Sequence, residues 1–218
     1  GFVNILGIPN SGKSTLINKL VGKKVSIVSH KVQTTRFCIR GICTHTFDNL
    51  SKSQIILIDT PGIFPAKRRL DKAMVSAAWS ELKHSDKVIF IHDVTKSFEN
   101  NSLDVINQIF KIKTDVILVL NKIDLLPKDK LLKKIQHIQS LYDFAKVFLV
   151  SALNGSGCNE LIEYLADSMP IHPFMYDNNT ISDLPLSILA SEITREKLFK
   201  NLNKELPYNL MVETEKWD

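Results

Sequence analysis

The chain has 218 residues, 44% of them hydrophobic and 23% charged, with a formal net charge of +5. That length supports one sizeable core and a short second unit, because domains run to about 100–200 residues. Cys38, Cys43 and Cys158 are odd in number and lack metal-ligand spacing, which argues against a disulfide framework or a zinc site. No apolar run reaches the roughly 18–20 residues that span a bilayer, and no signal peptide is visible. A cytoplasmic location is expected. An organelle stays open, because the chain begins on Gly1, directly in an apolar run, and a leader could precede it.

Residues 2–6 are apolar and partly β-branched and predict a strand; the turn "GIPNSGKST" follows, and apolar spacing then predicts a helix over 14–20. Residues 36–46 read as a second strand with no helix before the next apolar run at 55–58, which implies an antiparallel hairpin turning near Asp48 and Asn49. Helices at 71–83, 103–110, 130–141 and 159–166 then alternate with strands at 88–91, 116–120 and 147–150. Strands alternating with helices predict a doubly wound α/β domain, its sheet mixed but mostly parallel and flanked by helices. Residues 170–185 carry three prolines and little periodicity and read as a linker. Beyond it, Leu198, Phe199, Leu202 and Leu206 share one helical face, Pro207 stops the helix, and residues 208–217 alternate as a strand. The domain reading is therefore 1–169, a linker over 170–186, and the start of a second unit over 187–218.

Charge is unevenly distributed. Residues 1–62 hold eight Lys or Arg against two Asp, whereas the last thirty residues are nearly balanced. The basic excess accompanies the glycine-rich turn and points to a polyanion there. "GIPNSGKS" fits G-x-x-x-x-G-K-S, in which backbone N–H groups turn inward around phosphates at a helix N-terminus. The predicted contacts are Gly7, Asn10, Ser11, Gly12, Lys13, Ser14 and Thr15, with Lys13 reaching the β- and γ-phosphates and the Ser14 hydroxyl binding Mg2+. "ILIDTPG" places Asp59 at a strand end as a second metal-holding carboxylate, and Gly62 where a backbone N–H can meet the γ-phosphate.

"VLNKIDLL" supplies Asn121, Lys122 and Asp124. A carboxylate in the base pocket accepts both N1–H and the N2 amine of guanine, donors that adenine lacks; the Lys122 stem lies along the base and Asn121 ties loops together. In "VSALNGSG", the Ser151, Ala152 and Leu153 segment can bring a backbone N–H to guanine O6. In "VQTTR", Thr35, with Thr34 in reserve, is the candidate whose hydroxyl binds Mg2+ while its N–H meets the γ-phosphate. Together these motifs imply a domain that binds and hydrolyses GTP. Ile63 follows the D-x-x-G stretch where many small GTPases carry a water-orienting glutamine, so another device is needed. The catalytic candidates are Lys13, Asn10, Thr35 and Gly62.

With "GIPNSGKSTLINKL", "KVQTTR", "IDTPGIF", "NKIDLL", "SALNGSG" and "ASEITREKLFKNLNKELPYNLMVETEKW" in hand, the chain resembles the Era family of GTPases over nearly all its length. The resemblance implies a GTPase of small ribosomal subunit assembly, with GTP or GDP, small-subunit rRNA and the 30S-type subunit as partners, and no DNA. It implies a KH-type RNA-binding domain beginning near residue 187, peripheral membrane association as a family tendency, and a potassium ion that Asn10 helps to coordinate between loop and nucleotide. No glycine follows Leu202, so the KH G-x-x-G loop is expected beyond Asp218 and the chain reads as a whole G domain with the start of a KH domain. Other readings stay open: a neighbouring ribosome-assembly or tRNA-modification GTPase, a guanine-nucleotide-binding module without hydrolysis, or a P-loop ATPase or kinase.

Overall fold

The computed structural model describes residues 1–28, 38–60, 76, 79–98, 101–201 and 211–216. Among them six strands make one sheet: β1 (Phe2–Leu6), β2 (Ile39–Thr46), β3 (Lys52–Asp59), β4 (Lys87–Asp93), β5 (Val116–Asn121) and β6 (Lys146–Val150). Their spatial order is β2-β3-β1-β4-β5-β6, with every pairing parallel except β2 against β3, which runs antiparallel from Ile39↔Asp59 to Thr46↔Lys52. The hairpin turns through residues 47–51, where Phe47 N donates to Ser51 O at 2.9 Å. This is the mixed, doubly wound sheet that the alternation of elements implies.

The helices are α1 (Lys13–Val21), α2 (Asn101–Phe110), α3 (Lys128–Leu141), α4 (Cys158–Asp167) and α5 (Leu186–Asn201), with a 3-10 turn at Ile123–Leu125. Of the helix expected over 71–83, the structure describes helical residues 76 and 79–84. Because β1 and β5 are buried on both faces, their residues divide by alternation. Val3, Ile5, Ile117 and Val119 pack under α1 and α4, while Leu6, Val116, Leu118 and Leu120 pack under α2 and α3. Two cores result, one on each side of the sheet. The chain leaves β1 toward one face and returns to β4 on its other side, so the C-terminal ends of β1, β3 and β5 border the crevice where doubly wound sheets bind ligands.

The proline-rich stretch after α4 is strapped to the sheet. Gln54 Oε1 accepts from Met175 N and Tyr176 N at 3.0 and 3.1 Å, and Gln54 Nε2 donates to Tyr176 O at 2.8 Å. Ile42 N donates to Ile181 O at 2.9 Å, Gly41 bridges Ser182, and Arg40 pairs with Asp183 at 3.5 Å. The strap covers the edge strand β2, whose outer backbone groups would otherwise lack partners.

In α5 the buried positions are polar: Ser191, Glu192, Arg195 and Glu196. Arg195 grips Glu192 through Nε at 2.8 Å and through a second, shorter contact, and Lys24 pairs with Glu196. Of the expected apolar face, Leu198 is half-buried; the Phe199 side chain, Leu202, Leu206 and Pro207 lie outside the described residues. The strand expected over 208–217 is corrected in its described part, since 211–216 form none. No described strand lies alongside to complete a ladder. The segment instead follows α5, with Thr214 Oγ1 donating to Ser187 O at 2.8 Å and bonded to Ser191 Oγ at 2.6 Å.

Candidate functional site

The turn from β1 into α1 builds the first wall. A Cβ on Gly7 would stand 2.5 Å from Ile91 O, so the chain passes β4 only with glycine there. At Gly12, φ is +99° and a Cβ would stand 2.2 Å from Asn121 Nδ2, so conformation and space both require glycine. Asn10 also has positive φ, 65°, which asparagine tolerates better than most residues. With Gly12 as N-cap and no side-chain cap, the first N–H groups of α1 are left for an anion.

Lys13 is buried at 7% exposure, and its ammonium donates to Gly7 O and Ile8 O, each at 3.2 Å. Burial pulls its pKa down to about 8, against the opposing pull of the Asp59 carboxylate. A buried ammonium satisfied only by loop carbonyls is poised for phosphate oxygens. Ser14 Oγ donates to Asp59 Oδ2 at 2.8 Å, which joins the start of α1 to the end of β3. One hydroxyl and one carboxylate at the phosphate end make a hard-oxygen donor pair suited to Mg2+, which keeps several waters and substrate oxygens as its other ligands. Thr15, the third residue of α1, is half-buried.

The second wall comes from the ends of β5 and β6. Asn121 is 2% exposed; its Nδ2 donates to Ser11 O at 2.9 Å and its Oδ1 accepts from Ala152 N at 3.0 Å. One amide thereby ties the phosphate loop to the loop after β6. Lys122 has φ 67° and donates to Asn10 O at 3.0 Å and to Asp93 Oδ2 at 2.5 Å. Asp124 sits exposed in the 3-10 turn. Ser151 is fully buried, accepting from Gly155 N through its carbonyl at 2.7 Å, and Leu153 is 81% exposed. Gly7 to Thr15, Asp59, the 121–124 loop and the 151–153 loop therefore converge; Thr34, Thr35, Gly62 and Ile63 lie outside the described residues.

Three contributors escaped the motif reading. Asp93, 1% exposed at the end of β4, holds Lys122 and accepts from Thr95 N and Oγ1 at 3.0 and 2.7 Å. Burial raises its carboxyl, but Lys122 and Thr95 outweigh that and hold it below the usual range. Its signal was the D-x-T turn after an apolar run. Asn18 and Ser26 are the others. Asn18 on α1 bonds the backbone of Val25 and Ser26, and the Ser26 hydroxyl reaches Asp59 at the end of β3, contacts that no apolar periodicity marks.

The family described as 50S ribosome-binding GTPase matches residues 2–122. GTPase Era of Brucella suis biovar 1 (strain 1330) is 49% identical over all 218 residues, which span 68% of that protein. GTPase Era of Mesorhizobium japonicum is 48% identical over the same 218 residues, 69% of its length. Among solved structures, Aquifex aeolicus Era bound to GDP and AlF4− superposes with TM-score 0.88 at 35% identity, covering 95% of this chain and 69% of that one. Era in complex with MgGDPNP and nucleotides 1506–1542 of 16S ribosomal RNA gives TM-score 0.88 at 36% identity over the same shares. Two walls meeting around a phosphate loop, and near-50% identity along the entire sequence, lead to one conclusion: the chain belongs to the Era family of GTPases.

Proposed function

We propose that this chain works as a Mg2+-dependent GTP switch in small ribosomal subunit assembly, with small-subunit rRNA as its macromolecular partner. The observation that carries the nucleotide part is the Asn121 bridge, because one buried amide fixes the phosphate loop and the guanine-side loop relative to each other. In this reading Lys13 and the N–H groups of Gly12 through Thr15 hold the β- and γ-phosphates, and Ser14 and Asp59 hold Mg2+. Thr35 and Gly62 complete the γ-phosphate contacts, Asp124 reads guanine, Lys122 lies along the base, and Ala152 N meets O6. When bound, the metal neutralises charge at the β–γ bridge.

Asn10 is the proposed potassium ligand. Support comes from its left-handed backbone in the phosphate loop and from Ile63, which cannot orient water. The rRNA part rests on the similarity to the Era complex with 16S rRNA nucleotides, which extends over 95% of this chain. Residues 1–169 form the proposed G domain, 170–186 the linker and 187–218 the opening of a KH unit. A ribosomal-subunit partner favours a cytoplasmic site of action; among the described residues no helix is long and apolar enough to cross a membrane.

The test is base selectivity. The chain should bind GDP and GTP with Mg2+ and largely ignore ATP. Asp124→Asn reverses the hydrogen-bond polarity at the base edge, so it should weaken GTP and strengthen xanthosine triphosphate binding. Equal affinity of the parent chain for ATP and GTP would remove the reading of Asp124.

A further inference from the structure

Ser26 belongs to no nucleotide-binding motif, yet it reaches the metal-holding carboxylate. It is 1% exposed and its hydroxyl donates to Asp59 Oδ2 at 2.5 Å, the oxygen that also accepts from Ser14 at 2.8 Å. The backbone behind that hydroxyl is held firmly. Asn18 Oδ1 accepts from Val25 N at 2.8 Å and from Ser26 N at 2.9 Å, and Asn18 Nδ2 donates to Ser26 O at 2.7 Å. Asn18 stands one helical turn beyond Ser14 on α1, so a single helix presents one hydroxyl to Asp59 directly and the other through Asn18. The next residue after Asp59 is anchored as well, Thr60 Oγ1 donating to Ile5 O at 2.9 Å.

A carboxylate whose one oxygen accepts two fixed hydroxyl hydrogens cannot turn without giving up a charge-assisted bond. Mg2+ demands near-octahedral geometry at 2.0–2.1 Å and sheds water reluctantly, so a carboxylate already aimed loses little on binding the metal. Groups that orient a ligand typically change metal affinity by 10–100-fold when removed.

We propose that Ser26, held by Asn18, is a positioning residue that aims the Asp59 carboxylate at the Mg2+ of the bound nucleotide. The inference rests on the Mg2+ reading of Ser14 and Asp59 given above. Ser26 itself touches neither metal nor phosphate in this account. Its effect runs through Asp59, so it belongs to metal-dependent retention of nucleotide and to no other part of nucleotide binding.

The experiment is release of a fluorescent GDP from the full 218-residue chain, across a Mg2+ titration that starts in EDTA. In the parent chain release slows as Mg2+ rises. Ser26→Ala should move the midpoint of that slowing to about tenfold higher Mg2+, leaving the rate in EDTA and the plateau at saturating Mg2+ unchanged. Ser26→Thr, which keeps the hydroxyl, should return the midpoint toward the parent value. Ser26→Cys, close in volume and a weak donor, should behave like Ser26→Ala and carries the test if the alanine variant does not fold. A parent that responds to Mg2+ while both variants track it overturns the role of Ser26 alone. Faster release by the same factor at every Mg2+ concentration, EDTA included, overturns it too, because Ser26 would then serve only the fold. A parent whose release ignores Mg2+ overturns the metal reading of Asp59, and this inference with it.

Discussion

Replacing Asn121 with alanine removes a side chain that bonds both the phosphate loop and the loop after β6, and its cost can be worked from the geometry before any nucleotide is added. Two hydrogen bonds go, Nδ2 to Ser11 O at 2.9 Å and Ala152 N to Oδ1 at 3.0 Å, and both surviving groups are backbone. A hydrogen bond contributes about 1 kcal/mol net, and a buried partner left unsatisfied costs about 1–3 kcal/mol. Full burial would bring the loss to about 2–6 kcal/mol for two such groups. Asn121 is buried, but truncating its amide leaves a polar space between two backbone groups that a water can fill and bridge, so the lower end, about 2 kcal/mol, is the expected value. For a domain of this size that corresponds to a melting shift of about 4–8 °C. The measurement is thermal unfolding of the nucleotide-free chain, followed by GDP titration of the same sample. Asn121→Asp supplies the sign check: it keeps an acceptor for Ala152 N but turns a carboxylate oxygen toward the Ser11 carbonyl. It should destabilise more than alanine at neutral pH. A nucleotide-free Asn121→Ala chain melting within a degree of the parent would show that the bridge carries no stability and refute the argument.

Gly12→Ala should resemble Asn121→Ala in its effect on stability, because its Cβ would meet Asn121 Nδ2 at 2.2 Å and must displace it; combining the two should cost less than the sum, as a double-mutant cycle of melting curves would show. Lys13 gives a pH signature. Its folded pKa, about 8, lies below the ordinary lysine value of 10.5, so the nucleotide-free fold binds fewer protons than the unfolded chain in that window and should gain stability as pH rises from about 8 to 10.5. GDP affinity should move oppositely, flat below pH 8 and falling by up to about tenfold per unit above it, since phosphates need the charged ammonium; calorimetry in buffers of different ionisation enthalpy would detect the proton taken up. GTP hydrolysis should be faster in potassium than in sodium, and Asn10→Ala should erase the difference; equal rates in the parent would reduce Asn10 to a turn residue.

The parts of this architecture that were legible in the sequence are those written in short-range pattern. The strand, glycine-rich turn and helix over residues 2–20 announce themselves by apolar spacing and by Gly7 and Gly12, whose need for glycine is local in cause. The hairpin of β2 and β3 could be placed because two apolar runs meet around Asp48 and Asn49 without room for a helix. What stayed hidden is polar and long-range. Gln54 accepting two amides from residues 175 and 176, Asp93 gripping Lys122, and Ser26 on Asp59 join positions that no periodicity relates. Side-chain hydrogen bonds depend on register between elements, which becomes visible only when the sheet is assembled. The stripe on α5 escaped for a related reason. Charged residues such as Glu192, Arg195 and Glu196 carry no sign of burial in their type, yet in the fold they are buried, with Lys24 paired to Glu196.

That contact gives the C-terminal segment a specific relation to the nucleotide site. Residues 24–26 lie on one side of the stretch that carries Thr34 and Thr35, and residues 39–42 lie on the other. Both sides are held by the chain beyond residue 180: Lys24 by Glu196 of α5, and Arg40, Gly41 and Ile42 by Asp183, Ser182 and Ile181 of the strap. Lys24 is two residues from Ser26, whose hydroxyl sits on Asp59, so a change at Asp59 and a change at α5 act on the same short piece of backbone. A ligand shifts a conformational equilibrium only by its differential affinity for the two states. Nucleotide binding that displaces residues 24–26 or 39–42 must therefore either carry α5 and the strap along or break their contacts. By linkage, a partner that binds α5 in one of those positions changes nucleotide affinity by the same factor.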